Sequence, residues 1–193
     1  MALFQFRDEI RHPTLQGAKV MLRPPRMEDF EAWARLRHES RDFLKPWEPE
    51  WPEDDFQRSS FRARVRRAAR EIADDESYPL LIFRKTDPVL VGGLTLGLVR
   101  RGVSQACTLG YWMGEAHAGQ GLMSDAVRTA CAYAFGEMGL SRIEAASLPR
   151  NERSIRLLEH LGFAREGLAA RYLKINGVWE DHFLFALNAD TRR

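Results

Sequence analysis

The sequence has only two cysteines, Cys107 and Cys131, and they fall on different predicted elements. Two isolated thiols support neither a disulfide framework nor a cysteine-rich metal site, so we expect a reducing compartment. No apolar run approaches the length of a membrane span, and residues 1–10 carry charge too early for a secretory signal. The five histidines show no metal-ligand spacing. These absences argue against a disulfide scaffold, a metalloprotein and a membrane protein, and they favour a cytoplasmic location.

The composition is that of an ordinary globular protein. The chain has 193 residues, of which 45% are hydrophobic and 29% are charged, without an internal repeat or a low-complexity tract. This length predicts one domain, spanning residues 1–193, with a core of its own. The formal net charge of +2 says little about partners. Local charge says more, because six arginines crowd the segment from Arg58 to Arg70.

Hydrophobic periodicity predicts a mixed α and β chain. The predicted strands cover residues 20–24, 80–84, 89–99, 107–113, 142–148, 163–175 and 178–187. The predicted helices cover residues 27–37, 54–74, 122–138 and 151–161, with Asp54 or Asp55 as the cap of the second. Asn176-Gly177 is a strong hairpin signal between the last two strands. Three prolines within residues 44–52 predict a loop without helix.

This order of elements predicts an α+β or mixed α/β fold, in which helices cover both faces of one sheet. The crossover through helix 122–138 predicts that its two flanking strands are parallel. Gly92 and Gly93 lie inside a predicted strand and indicate a bulge or a close approach of another backbone. Gly139 follows the crossover helix and is a usual residue at a helix C-terminus.

The most informative segment is the turn between strand 107–113 and the crossover helix. It reads Glu115-Ala-His-Ala-Gly-Gln-Gly-Leu-Met-Ser-Asp-Ala126, with Gly119 and Gly121 flanking one residue where the helix begins. A helix N-terminus has unpaired N–H groups and the positive end of a dipole, so it suits a phosphate group. Glycine lets the backbone approach that group closely. The segment therefore predicts a phosphate-bearing cofactor seated between two parallel strands.

Two common phosphate sites do not fit this turn. A dinucleotide site needs three glycines as G-x-G-x-x-G and an acidic residue after the next strand, whereas this chain lacks the third glycine and has Leu148-Pro149 there. A P-loop needs G-x-x-x-x-G-K-[ST], and that string is missing. The turn also matches only Gly121 of the Q/R-x-x-G-x-G/A signature of the GNAT acetyltransferases, aligned over Ala118–Met123.

Longer strings carry a more specific resemblance. Gly119–Ala126 resembles the G-K-G-L/Y-M-x-E-A form of N-terminal amino-acid acetyltransferases, and Pro149–Gly167 resembles their N-x-x-S…L-G-F-x-x-E-G segment. Phe43–Pro49 and Tyr172–His182 are similar to the ribosomal-protein-alanine N-acetyltransferases of the RimJ type. The chain therefore resembles the GNAT superfamily over most of its length, which implies the GNAT fold with a splayed central sheet.

The resemblance implies an acetyl-CoA site. Its pyrophosphate would lie on the turn and the start of the helix, at Gly119, Gln120, Gly121, Leu122, Met123 and Ser124. Its pantetheine arm would pair with the backbone of Tyr111, Trp112 and Met113 as an added strand. That pairing requires strand 107–113 to diverge from strand 142–148. Asn151 and Ser154 are either cofactor contacts or simply the N-cap and first turn of a helix.

Acyl transfer to an amine needs a base for the amine and a proton for the leaving thiolate. The resemblance points to Glu166 as the base, directly or through water, with Glu144 as a weaker alternative. Many GNAT enzymes carry a tyrosine acid within L-Y-x-x-L-G-F, and Leu158 takes that position here. Ser147, near the end of strand 142–148, is the nearest polar replacement. Tyr111 is a further candidate for the acid.

The resemblance implies direct acetyl transfer, in a ternary complex, to a protein N-terminus, with the alanine terminus of a ribosomal protein as the first-choice acceptor. Two other functions stay open: acetylation of a small amine, and a ribosome-assembly factor that binds RNA and keeps the site as a relic. Arg62, Arg66 and Arg70 share one helical face that can contact phosphates of a ribosomal particle. A solvated helix face is the simpler interpretation of this charge run.

Overall fold

The computed structural model describes residues 13–189 and places them around one mixed sheet. Its strands are β1 (Leu15–Gln16), β2 (Val20–Arg23), β3 (Tyr78–Arg84), β4 (Leu90–Arg100), β5 (Ala106–Met113), β6 (Arg142–Ser147), β7 (Ala164–Ile175) and β8 (Val178–Asn188). Its helices are α1 (Phe30–Glu39), α2 (Arg41–Leu44), α3 (Arg58–Ala73), α4 (Leu122–Gly136) and α5 (Glu152–His160). The strand order in the sheet is β1-β2-β3-β4-β5-β6-β8-β7.

Alternation along the strands creates two cores, one on each face of the sheet. Leu80 and Ile82 of β3 point into the first core, while Leu81 and Phe83 point into the second. Helices α4 and α5 contribute to the first core, and α1 and α3 contribute to the second. The predicted mixed sheet with helices on both faces is thereby confirmed.

The central crossover runs from β5 through α4 to β6, and these two strands are parallel as predicted. They pair only between Ala106 opposite Arg142 and Leu109 opposite Ala145. Beyond these pairs β5 continues beside β4, while β6 continues beside β8. The sheet therefore splits into two halves at this point. This is the divergence that an added cofactor strand requires.

A β-bulge in β4 lies next to the split. Ile82 is opposite Gly92, whereas Phe83 is opposite Leu90, so Val91 is the extra residue. A bulge bends its strand and increases the local twist. A β carbon on either Gly92 or the next glycine would collide with Trp112 of β5. The pair of glycines thus marks both a bulge and a close approach, which confirms the prediction.

The prediction that residues 44–52 form a loop without helix is wrong at the start of that segment. Residues Lys45–Trp47 form a 3-10 turn directly after α2. Pro46 fits because it lies in the first turn, where a missing N–H removes no internal hydrogen bond.

Helix α4 is shorter than predicted, because it ends at Gly136 rather than at Met138. Gly139 has a left-handed φ of +66° in the turn that follows.

The predicted aspartate cap of α3 is wrong. The residue before the helix is Gln57, and it makes no side-chain cap. Asp54 instead accepts a hydrogen bond from the Ser60 hydroxyl at 2.8 Å, and Asp55 accepts one from the Arg64 guanidinium at 2.6 Å. Both carboxylates therefore bind side chains of the helix rather than the N–H groups of its first turn.

The hairpin between β7 and β8 is confirmed. Asn176 and Gly177 have φ values of +43° and +85°, the pair of left-handed residues that a two-residue hairpin turn needs. None of the helices between residues 13 and 189 combines the length and apolarity needed to cross a bilayer.

Candidate active site

The split between β5 and β6 leaves one strand edge unpaired along residues 110–113. On the other edge this stretch is bonded to β4. Among the described strands, none pairs with the edge facing β6 beyond Leu109. Extended backbone with free N–H and C=O groups can take a linear amide-containing ligand as an added strand. The geometry therefore suits the predicted pairing of Tyr111, Trp112 and Met113 with a pantetheine arm.

The turn before α4 has a backbone conformation that glycine adopts readily. Gly119 has a φ of +76° and Gly121 a φ of +74°, both in the left-handed region. Gly121 is the N-cap residue of α4 and makes no side-chain cap. The N–H groups of the first turn therefore have no internal acceptor, and they point out at the positive end of the helix dipole. This arrangement suits a pyrophosphate.

The neighbouring side chains have mostly structural contacts. Gln120 is exposed and donates from Nε2 to the carbonyl oxygen of Ala116 at 3.0 Å. Leu122 is buried, and Met123 packs against the same core. Ser124 is half-buried in the first turn of α4. The backbone of the turn is therefore the part of this segment best suited to hold phosphate, with the Ser124 hydroxyl beside it.

Asn151 and Ser154 lie on the other side of the split. Asn151 caps α5, since its Oδ1 accepts a hydrogen bond from the Ser154 N–H at 3.2 Å. The Ser154 hydroxyl oxygen lies 2.8 Å from the hydroxyl oxygen of Tyr111. This bond joins the diverging end of β5 to the first turn of α5. Three of the predicted site residues therefore meet at the gap.

The Tyr111 hydroxyl is protonated at neutral pH. Burial raises the pKa of Tyr111 to about 12, and the hydrogen bond with Ser154 only partly offsets this effect. The phenol therefore stays protonated at neutral pH and can donate a hydrogen bond to the sulfur as a thioester breaks.

Ser147 is the last residue of β6, where it pairs with Phe183 of β8. Its side chain is buried, and its Oγ is 3.5 Å from the carbonyl oxygen of Leu148. Its position at the end of β6 places it at the same end of the sheet as the gap. Its burial makes it a weaker candidate than Tyr111 for contact with a leaving group.

Glu166 of β7 is held by Arg142 of β6. It lies in a bulge of β7, because Arg165 pairs with Phe185 while Gly167 pairs with Leu184. Both of its carboxylate oxygens accept hydrogen bonds from the Arg142 guanidinium, one of them at 3.0 Å.

The register places Glu166 beside Phe185 and Leu184 of β8, which pair with Ala145 and Ala146 of β6, where the split begins. Hydrogen bonding to Arg142 also holds the pKa of the Glu166 carboxyl below its ordinary value, which weakens it as a base. In this arrangement the Glu166 carboxylate is engaged by Arg142, and its assignment as the general base stays a prediction. Glu144 is bonded to the same arginine.

A buried arginine that sequence reasoning missed links the proline-rich segment to β5. Arg37 binds both carboxylate oxygens of Glu48, at 2.9 and 2.8 Å. Its guanidinium carbon lies 4.1 Å from the ring centre of Trp51 and 4.9 Å from that of Trp112. Trp51 also donates to Glu48 at 2.7 Å. The segment is thus fixed against the strand that borders the gap.

The same segment faces the β7–β8 hairpin across a cavity of about 330 Å³. The Asn176 N–H donates to the carbonyl oxygen of Glu48 at 3.0 Å. Arg150 lines the cavity and pairs with Glu180 of β8 at 3.0 Å. Because Arg150 precedes the cap residue of α5, this cleft opens beside the residues that meet at the gap. The proline-rich segment thus forms one wall of this cleft.

Comparisons with known proteins agree with this geometry. Residues 19–164 match the acetyltransferase (GNAT) domain family. The chain is 40% identical to the probable N-acetyltransferase YjcK of Bacillus subtilis, over 91% of this chain and 98% of that protein. It is 34% identical to the [ribosomal protein uS5]-alanine N-acetyltransferase of Escherichia coli, over 96% and 95%. The solved structure of Mycobacterium smegmatis RimJ in complex with CoA-disulfide superposes with a TM-score of 0.86 at 33% identity, covering 94% of this chain and 88% of that one.

The chain therefore belongs to the GNAT acetyltransferase family. It is an acetyl-CoA-dependent N-acetyltransferase, and its fold is that of the RimJ type. No group of three or more His, Cys, Asp or Glu side chains in residues 13–189 is arranged to hold a metal ion. The left-handed glycine turn and the unpaired edge of β5 are the two features that fit the phosphates and the amide arm of this cofactor.

The glycine turn generates the first prediction. Gly121→Val places a β-branched residue at a φ of +74°, which such residues avoid, and it puts methyl groups where a phosphate approaches. We expect acetyl-CoA affinity, measured by calorimetry, to fall by more than about tenfold. Gly136→Ala is the matched control, because an added β carbon there meets no atom within 4 Å. Wild-type affinity in a folded Gly121→Val protein would contradict the assigned site.

The Tyr111–Ser154 bond generates the second prediction. Tyr111→Phe removes the proton donor and leaves the ring in place, so we expect kcat to fall about 10²-fold with little change in KM for acetyl-CoA. Tyr133→Phe is the control, since burial raises the pKa of Tyr133 to about 12 as well, but Tyr133 packs against Tyr78 in the core. Equal turnover in the Tyr111→Phe and Tyr133→Phe proteins would exclude Tyr111 as the acid.

Proposed function

We propose that this enzyme acetylates the N-terminal α-amine of a ribosomal protein, with alanine as the first residue, in the cytoplasm. The observation that carries this proposal is the similarity to the [ribosomal protein uS5]-alanine N-acetyltransferase, which extends over 96% of the chain and includes both walls of the cleft. Transfer is direct, within a ternary complex of enzyme, acetyl-CoA and acceptor.

Different residues at the gap act on different atoms of the thioester. Acetyl-CoA supplies the acetyl group as a thioester, which the acceptor amine attacks. The backbone N–H at Met113 polarises the thioester carbonyl, since it lies on the unpaired part of β5. As the C–N bond forms and the C–S bond breaks, the Tyr111 hydroxyl would pass a proton to the sulfur and would take up, through water, the proton that the amine loses, so that the products are the amide and the CoA thiol. Ser154 holds that hydroxyl in place.

The pKa of the acceptor amine bears on its identity. An α-amine has a pKa of about 8, so roughly a tenth of it is uncharged at pH 7, whereas a lysine amine with a pKa near 10.4 is almost fully protonated. An α-amine therefore needs less help from a general base than a lysine amine does. The same argument favours a peptide N-terminus over a strongly basic small amine.

The cleft suits a peptide. Its walls carry charges of both signs, from Asp42, Lys45, Arg150 and Glu180. The Arg150–Glu180 pair neutralises part of this charge, so no single sign dominates the lining. Mixed polar walls match the amide groups of a short extended segment.

The acceptor is tested directly by a panel of amines. We expect alanine-terminated peptides from ribosomal proteins to be acetylated faster than matched peptides with a bulky first residue and faster than spermidine, with products identified by mass spectrometry. The rate on the peptide should rise with pH through the α-amine pKa of about 8 and then level off. The N-acetylated peptide is the control. Faster turnover of spermidine than of every peptide would overturn the proposal in favour of a small-amine acceptor.

The exposed arginines of α3 offer a surface through which the enzyme can bind the particle that carries its acceptor. Arg62, Arg66 and Arg70 are exposed, and none of them forms an ion pair with any other residue between 13 and 189. Three other arginines of this segment are paired: Arg58 with Glu31, Arg64 with Asp55 and Arg67 with Glu71. The unpaired three form one cationic face, which we propose contacts phosphates of a ribosomal particle.

Replacing Arg62, Arg66 and Arg70 with glutamine tests that contact. We expect unchanged turnover on a short alanine-terminated peptide and weaker association with ribosomal particles, measured by co-sedimentation. Wild-type association should fall steeply as salt increases, because each phosphate contact releases counterions. Salt-independent association, or none, would show a solvated face. Strong particle binding without any acetylation would instead favour an RNA-binding factor.

A further inference from the structure

A lysine from outside the glycine turn lies directly over it. The Lys19 ammonium nitrogen is 3.4 Å from the position that a β carbon on Gly121 would occupy. Lys19 belongs to the tight turn between β1 and β2, about a hundred residues earlier in the chain. Its side chain is exposed, and the described part of the chain gives it no carboxylate within ion-pair distance.

Asp125 fixes the backbone that carries this lysine. Asp125 lies buried in the first turn of α4. Its carboxylate accepts hydrogen bonds from the N–H groups of Ala18, Lys19 and Val20, at 3.2, 2.7 and 3.1 Å. Gly17 makes room for the contact, because a β carbon there would lie 2.5 Å from Asp125 Oδ2.

The position of the ammonium is electrostatically unfavourable by itself. A cation at a helix N-terminus is repelled by the positive end of the dipole, and an anion there is attracted. Asp125 offsets part of that repulsion, but its oxygens are engaged by three main-chain N–H groups. A phosphate between the ammonium and the N–H groups of α4 would be attracted by both.

We propose that Lys19 is a phosphate-binding residue for the pyrophosphate of acetyl-CoA and that Asp125 is the residue that positions it. The proposal rests on the cofactor site at Gly119–Gly121. It adds to that site a charged contact from β1–β2, so the phosphate is held between two distant segments of the chain. The ammonium would supply one charge-assisted hydrogen bond in addition to the backbone N–H groups.

Lys19→Gln tests the contact by calorimetric titration with CoA. We expect the Kd to rise about tenfold, the size expected for one partly exposed hydrogen bond to a charged group. Lys19→Arg should restore most of the affinity, because it keeps the charge. Lys174→Gln, which removes an exposed lysine on β7, should bind CoA as the wild type does. Wild-type affinity in Lys19→Gln would overturn the proposal, whereas a wild-type protein that fails to bind CoA would refute the cofactor site itself.

A second titration identifies the phosphate. Dephospho-CoA lacks the 3′-phosphate and keeps the pyrophosphate. We expect Lys19→Gln to weaken CoA and dephospho-CoA by the same factor. If the variant weakens CoA alone, Lys19 contacts the 3′-phosphate, and the assignment to the pyrophosphate is overturned.

The positioning role of Asp125 is tested by combining variants. Asp125→Asn removes the charge and forces an amide group against main-chain N–H donors, which should shift the turn and weaken CoA binding. If Asp125 acts through Lys19, the double variant should bind little more weakly than Asp125→Asn alone. Fully additive losses in folded proteins, checked by circular dichroism, would refute that role while leaving the Lys19 contact standing.

Discussion

The parallel pairing of β5 and β6 ends after Leu109 and Ala145, and the rest of the site depends on that early end. Each strand stays bonded to its outer neighbour, so the sheet keeps its hydrogen bonds on both sides of the split. The residues beyond the split on β5 then have one edge bonded and one edge free. A binding edge is thereby created inside a sheet, where edges are normally paired.

The bulge at Val91 supports the split from β4, which pairs with the opposite edge of β5. Because β4 bends there, Gly92 and its neighbour can lie against Trp112, which keeps the free part of β5 pressed onto β4. Arg37 then packs on Trp112 and on the proline-rich segment together. One tryptophan thus joins the cofactor strand, the bulged strand and the wall of the acceptor cleft.

Features that depend on local sequence were predictable, and features that depend on distant pairing were not. The hairpin at Asn176-Gly177, the cap by Asn151 and the glycine turn before α4 follow from a few neighbouring residues. Glu166 follows a family-like string, but a bulge in β7 and an arginine 24 residues away decide where its carboxylate lies. The pairing of Glu48 with Arg37 likewise has no short-range signal.

The position of Lys19 is a second feature that local sequence could not predict. Asp125 and Lys19 are separated by 106 residues, and only the folded sheet brings them together. Sequence reasoning found the acidic residue as part of a motif around the turn. It had no means of finding what that carboxylate binds, because the partners are main-chain N–H groups.

The contrast between the two helices at the gap has a thermodynamic consequence. Helix α5 satisfies its own N-terminus through Asn151, whereas α4 begins at a glycine without a side-chain cap. A phosphate bound at α4 therefore completes the helix in the way that a cap residue does, and it does so only in the folded state. Folding and cofactor occupancy are linked for this reason. At a ligand concentration a hundred times Kd, that linkage stabilises a protein by about 2.7 kcal/mol. Bound acetyl-CoA would thus add to the stability of this enzyme.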